Sequence, residues 1–143
     1  MLSTAHLMTG AALGTVLQSP WEVIAVSILL HFVWDCWPHW DPNYDEWPKK
    51  QWYLVSSLDL LIGFCLAWLV VGDGINKLVM LGMFFSIFPD ILTMVAILGK
   101  VKFLKKYITW HKKIQNVAKL KFGLVFQLIV VVVSVLVIKL ATF

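Results

Sequence analysis

Five ionisable side chains, His6, His31, Asp35, Asp59 and Asp90, lie inside long apolar stretches. A titratable group in such a segment is expensive to bury, so each is by default a candidate for function. His39 and Asp41 follow directly after one stretch, and His111 lies in a Lys-rich segment further on. His31 and Asp35 are four residues apart, so on a helix they share one face. Pro38 ends that helix and offers His39 and Asp41 from the turn. The string Leu30-His31-Phe32-Val33-Trp34-Asp35-Cys36-Trp37-Pro38-His39-Trp40-Asp41 therefore supplies up to four nitrogen and oxygen ligands. Imidazole and carboxylate together suit Zn²⁺, Mn²⁺ or Fe²⁺. In Phe88-Pro89-Asp90 the proline loosens a helix and frees a backbone carbonyl beside the acid.

Apolar helices must position these groups. Of 143 residues, 60% are hydrophobic, against roughly 45–50% in a soluble globular chain. The mean hydropathy is +0.83. The excess is gathered into five runs: helix A over about 4–18, helix B over 21–37, helix C over 53–71, helix D over 76–98 and helix E over 122–140. The expected fold is an all-α, polytopic transmembrane bundle of about five helices, one domain over 1–143. Helices C, D and E approach the ~20 residues that cross a bilayer. Helix A is shorter, and whether it crosses is left open. Its Gly10 and Gly14 form a small-xxx-small pair that favours close packing on a neighbour. Between D and E, Val101, Leu104, Ile108, His111 and Gln115 recur at helical spacing, with lysines mostly elsewhere. That pattern predicts an amphipathic interfacial helix over about 101–118, with His111 toward the bundle.

The loops carry an orientation signal. All twelve basic residues are Lys. Lys49 and Lys50 follow helix B, and eight lysines from Lys100 to Lys121 separate D from E. The positive-inside rule puts the N-terminus and both loops in the cytoplasm of a bacterial-type inner membrane. The net charge of +4 thus reads as topology and attraction to anionic lipid, with no nucleic-acid partner. Without Arg there is no bidentate guanidinium chemistry on phosphate. Cys36 and Cys65 suggest no disulfide framework. The start of the chain lacks the basic region of a signal peptide, so it reads as retained. No Gly-rich phosphate loop, nucleophile elbow, dinucleotide fingerprint or HExxH motif is present.

Depth unites the polar residues. His6 opens helix A, His31 and Asp35 close helix B, Asp59 lies two turns into C, and Asp90 lies two turns before the end of D. With alternating directions all five fall within ~15 Å of one membrane face, the face on which the His111 segment lies. Taken singly, each has a plainer reading: His6 as a hydrogen-bonded packing residue, Asp59 as glue between helices, His39 and Asp41 as solvated loop residues. Their convergence is what argues for a shared site.

The motifs Ala5-His6-Leu7, the string from Leu30 to Asp41, Phe88-Pro89-Asp90 and Trp110-His111-Lys112-Lys113-Ile114 resemble those of small bacterial membrane proteins of the LexA-regulated inner-membrane hydrolase type, a family regarded as metal-dependent. The resemblance covers helices A, B, D and the interfacial segment. This chain carries Ile91 and Leu92 where those proteins have a second Asp and a His, and Gln115 where a second His would follow His111. The order of motifs also differs. The resemblance implies a branch with a reduced metal site, or one that has lost catalysis.

The expectation is a membrane-embedded metal-dependent hydrolase with a divalent metal, Zn or else Mn or Fe. His31, Asp35 and Asp90 would be core ligands, with His6, His39 or His111 completing the set. Asp59, with Asp35, would supply catalytic carboxylate chemistry, Asp59 as a ligand or general base. The substrate would be a lipid phosphate, lipid ester or prenyl phosphate, drawn to the cytoplasmic face by Lys49, Lys50, Lys112 and Lys113. The alternative is a non-catalytic membrane protein, an ion or proton conduit or an accessory subunit, whose His and Asp residues relay protons or pack helices. Homo-oligomerisation is left open.

Overall fold

The computed structural model describes residues 1–42 and 46–142. Six α-helices account for most of them: α1 (Ser3–Val16), α2 (Pro20–Cys36), α3 (Lys49–Val71), α4 (Lys77–Leu98), α5 (Lys105–Ile114) and α6 (Leu120–Thr142). Among the described residues there is no strand, only an isolated bridge between His39 and Val117.

The shortest of the apolar helices is the hub. Every residue of α1 from Ala5 to Ala12 is buried, and Gly14 with them. A helix that is apolar all round has no solvent face to offer and belongs in the middle of a bundle. Here α2, α3, α4 and α6 all pack on it. Its small residues permit backbone contact. Gly10 meets Gly82 of α4, and Gly14 meets Leu78 and Val79, so the two helices run antiparallel with almost nothing between their backbones. A Cβ at Gly10 would fall on the Gly82 carbonyl. The small-residue pair of helix A thus has α4 as its neighbour.

Three helical segments are long and apolar enough to cross a membrane: Lys49–Gly74, Lys77–Leu98 and Leu120–Thr142. At 14 and 17 residues, α1 and α2 are shorter, and α1 faces protein on every side. From Leu58 to Leu69 of α3 and from Phe122 to Leu136 of α6 the exposed positions are apolar, with Leu61, Ile62, Trp68 and Leu69 on one and Leu128, Ile129, Val133 and Leu136 on the other.

The largest boundary differences from the sequence reading are in α3 and α5. Helix α3 starts at Lys49, four residues before the expected Tyr53. Pro48 has φ −55°, and its carbonyl accepts from Gln51 and Trp52, which begins the helix early. The expected interfacial helix over 101–118 stops at Ile114. Beyond it the backbone is taken by α2: Asn116 N donates to Asp35 O (2.9 Å), His39 N to Asn116 O (3.1 Å) and Ala118 N to His39 O (2.7 Å). The Asp35 carbonyl belongs to the last turn of α2, where carbonyls lack an intrahelical donor. Satisfying it outweighs one more turn of α5.

Chain direction places the starts of α1, α3 and α6 and the ends of α2 and α4 at one end of the bundle. Gly123 of α6 lies against the His39–Trp40 backbone there. At the other end Lys139 Nζ donates to Val70 O.

Gly10→Ala should destabilise the bundle by about 3 kcal/mol or more, because the backbone it strikes cannot rotate aside. Gly74→Ala, at an exposed position with Val71 as its nearest neighbour at 3.4 Å, should be close to neutral. Thermal unfolding of the two variants in detergent checks the contrast.

Candidate metal centre

Asp35 is wholly buried on the last turn of α2. A carboxylate out of water has to be paired, and four nitrogens surround this one. On Oδ1 are the Met1 nitrogen at 2.9 Å and His6 Nε2 at 3.3 Å; on Oδ2 are His111 Nε2 at 3.1 Å and His31 Nε2 at 3.2 Å. Asp90 closes the group from α4, with Oδ1 3.7 Å from His31 Nε2 and 3.8 Å from His111 Nε2. Donor atoms of His31, Asp35, Asp90 and His111 all lie within 4.8 Å of one another, a grouping able to hold a metal ion. Only Asp90 is partly exposed; the other three are buried.

The outer hydrogen bonds of the two histidines decide which way their lone pairs point. His31 Nδ1 lies 2.7 Å from Ser86 O, a carbonyl that can only accept, so Nδ1 carries the proton. Pro89 lacks the N–H that would bond Phe85 O, loosening the turn from which Ser86 O is offered. His111 Nδ1 lies 2.7 Å from Thr93 Oγ1. The Thr93 hydroxyl donates to Pro89 O (3.0 Å), and the Tyr107 hydroxyl donates to the same carbonyl (2.8 Å). With its hydrogen on Pro89 O, Thr93 Oγ1 accepts from His111 Nδ1–H. Both rings, when neutral, turn an unprotonated Nε2 inward. These two atoms are 3.3 Å apart and face the carboxylates of Asp35 and Asp90. Four acceptors converge on one point, an arrangement that requires a cation or a proton between them.

The remaining expected residues lie around this centre. His6 stacks on His31, with ring centroids 4.1 Å apart. Its Nε2 is buried near Asp35 but makes no aligned hydrogen bond. His39 is buried apart from the group: its Nδ1 donates to Trp37 O (2.8 Å), and its Nε2 has no hydrogen-bond partner. Burial pulls the His39 pKa down to about 4, so the ring is neutral. Asp41 lines a neighbouring cavity, and burial raises its carboxyl to about 6. Asp59 caps α1 from α3: its carboxylate accepts from Ser3 N, Thr4 N and Thr4 Oγ1. Gln127 of α6 takes the Leu2 N–H at 2.7 Å. Together they satisfy N–H groups that the first turn of a helix leaves open. Thr93, Tyr107 and the Ser86 carbonyl were not singled out from the sequence. Tyr107, four residues before His111, was the readable one.

The cavity occupies the space left by the shortness of α1. Beyond its first turn, α3 and α4 continue and enclose about 430 Å³, roofed by α5 and by Pro42. Asp90, His111 and Lys112 line one side of it; Leu60, Ile87, Ile91 and Ile97 make an apolar wall.

No protein-family model matches this chain, and neither a curated protein nor a solved structure matches it. The class stands on the fold and the site alone: an all-helical protein with three potential membrane spans and a buried His–Asp group that could hold a metal ion.

Asp59→Ala should lower thermal stability by about 1–3 kcal/mol, the usual penalty for stranding buried donors. It should leave the metal content of the protein unchanged. Loss of metal without loss of stability would instead make Asp59 a ligand.

Proposed function

We propose that this chain is an integral membrane protein carrying a divalent metal, and that it hydrolyses a lipid phosphate or lipid ester from the cytoplasmic face. The observation that carries the metal reading is the fixed pair of tautomers. His31 and His111 commit their Nδ1–H groups to Ser86 O and Thr93 Oγ1, leaving both Nε2 lone pairs on the carboxylates of Asp35 and Asp90. Metal-bound histidines typically have such outer partners. The ligands would be His31, Asp35, Asp90 and His111, with His6 beside them. Nitrogen and carboxylate donors fit Zn²⁺, Mn²⁺ or Fe²⁺. The ion would supply Lewis acidity toward a phosphoryl or acyl oxygen and a more acidic water.

The protein's own residues do the rest. Thr93 and Tyr107 hold the His111 ring, and Ser86 O holds His31. Asp90, the exposed member, faces the cavity by which a substrate arrives. The membrane setting is supported by the apolar outward faces of α3 and α6, a surface suited to lipid. The cytoplasmic side follows from the lysines of the α2–α3 and α4–α6 connections. The motif resemblance to inner-membrane hydrolases agrees with this reading.

One observation favours a second reading, a proton-holding or packing network with no metal. The Met1 nitrogen already sits on Asp35 Oδ1 and offsets much of its charge. Against a relay, the cluster lies at one end of the bundle and, among the described residues, does not continue through it.

Elemental analysis of detergent-purified protein decides between them. Near-stoichiometric Zn, Mn or Fe is expected, lost in Asp35→Asn and His31→Gln. Thr93→Val, which removes the acceptor for His111 and leaves Pro89 O to the Tyr107 hydroxyl, should weaken metal affinity by roughly 10–100-fold. A parent that takes up no metal after reconstitution would leave the network reading.

A further inference from the structure

The four candidate ligands are sealed from three sides. His31, Asp35 and His111 are buried, and Asp90 alone is partly exposed. Asp90 opens onto the cavity above α1, so a reactant must come through that space. Helices α3 and α4 follow one another in the chain, yet both pack chiefly on α1 and not on each other. Above the α1 N-terminus no described residue fills the gap between them, and that gap is the cavity. Met94 and Leu98 line it while being 41% and 47% exposed, so it opens sideways along the apolar surface of α4. Its inner wall is Leu60, Ile87 and Ile91.

We infer that this cavity admits a single-chain lipid phosphate sideways between α3 and α4, seating the chain along Ile91 and Met94 and the headgroup at Asp90, His111 and Lys112. The volume of about 430 Å³ is at the lower end of the ~300–1,000 Å³ usual for ligand sites, which suits one chain and not two. The wall is apolar at bilayer depth and polar where it meets α5, the polarity profile of an amphiphile. Lys112 favours an anionic head. Three acids line the cavity, Asp41, Asp59 and Asp90, and of these Asp59 is committed to the N–H groups of α1. Ile91 gains a role here: a side chain directly after Asp90 faces the space a hydrocarbon chain would occupy. What happens at the headgroup rests on the metal reading above; the seating of the chain does not.

Native mass spectrometry of the full-length protein in detergent, titrated with dodecyl phosphate, tests the inference, with elemental analysis of the same samples. One bound dodecyl phosphate per chain is expected. Ile91→Trp and Met94→Trp should each lower its occupancy at least about tenfold by filling the cavity, with metal content unchanged. Leu69→Trp, at a position 77% exposed on the far part of α3, should change neither. Met94 is exposed enough to accept the larger ring without overpacking, so a melting temperature close to the parent's keeps that variant interpretable even if Ile91→Trp fails to fold. A parent without metal whose dodecyl phosphate binding still depends on Met94 would sink the metallohydrolase reading and leave the lipid seat standing. A parent that binds no dodecyl phosphate, binding indifferent to Met94→Trp, or equal competition by a diacyl phosphatidate would each overturn the single-chain seat.

Discussion

A carboxylate with no exposure to solvent, Asp35, is the constraint around which this molecule is arranged. Taking such a charge out of water is worth several kcal/mol of penalty unless partners surround it. The partners come from three parts of the chain: the Met1 nitrogen and His6 from the start, His31 from its own helix, and His111 from α5. Each of those parts is in turn held in place. Asp59 and Gln127 fix the start of α1 through its free N–H groups, and Thr93 fixes the His111 ring. The Asp35 main-chain carbonyl also ends α5 by taking the Asn116 N–H. One residue therefore ties the polar centre to the backbone path around it.

The second organising feature is backbone contact between α1 and α4. Glycine at 10, 14 and 82 lets the two helices approach until no side chain fits between them. That contact brings Ser86 and Asp90 to the depth of His6 and His31. Because α1 is shorter than α3 and α4, the space beyond its start is left as the cavity. Site and access route thus arise from the same packing choice: a short central helix made of small residues, inside longer helices made of large ones.

The His–Asp centre is bonded differently on its two sides. Its outer hydrogen bonds hold the two histidine rings, and inside, both Nε2 atoms face the carboxylates of Asp35 and Asp90. A packing network normally pairs each donor with an acceptor. Here the outside of the two rings is paired with protein groups, and on the inside both Nε2 atoms meet Asp35 Oδ2, where a proton or a cation completes the pairing.

Much of this was legible in the chain itself. Hydropathy and length identify the apolar helices, because a helix facing lipid must be apolar over most of its turns. The i, i+4 spacing of His31 and Asp35 and the common depth of His6, Asp90 and His111 follow from helix geometry, so their convergence could be expected from periodicity alone. Tertiary structure decided what periodicity cannot express. Asp59 shares that depth, yet α1 begins beside it and its carboxylate caps that helix. His39 belongs to the same short string as Asp35, but the turn after Pro38 aims its ring at Trp37 O. The interfacial helix ends at Ile114, four residues short of its pattern, because α2 presents open carbonyls. Depth and face are properties of one helix and are written in its sequence; which donor meets which acceptor depends on where other helices end, and only the packed bundle sets that.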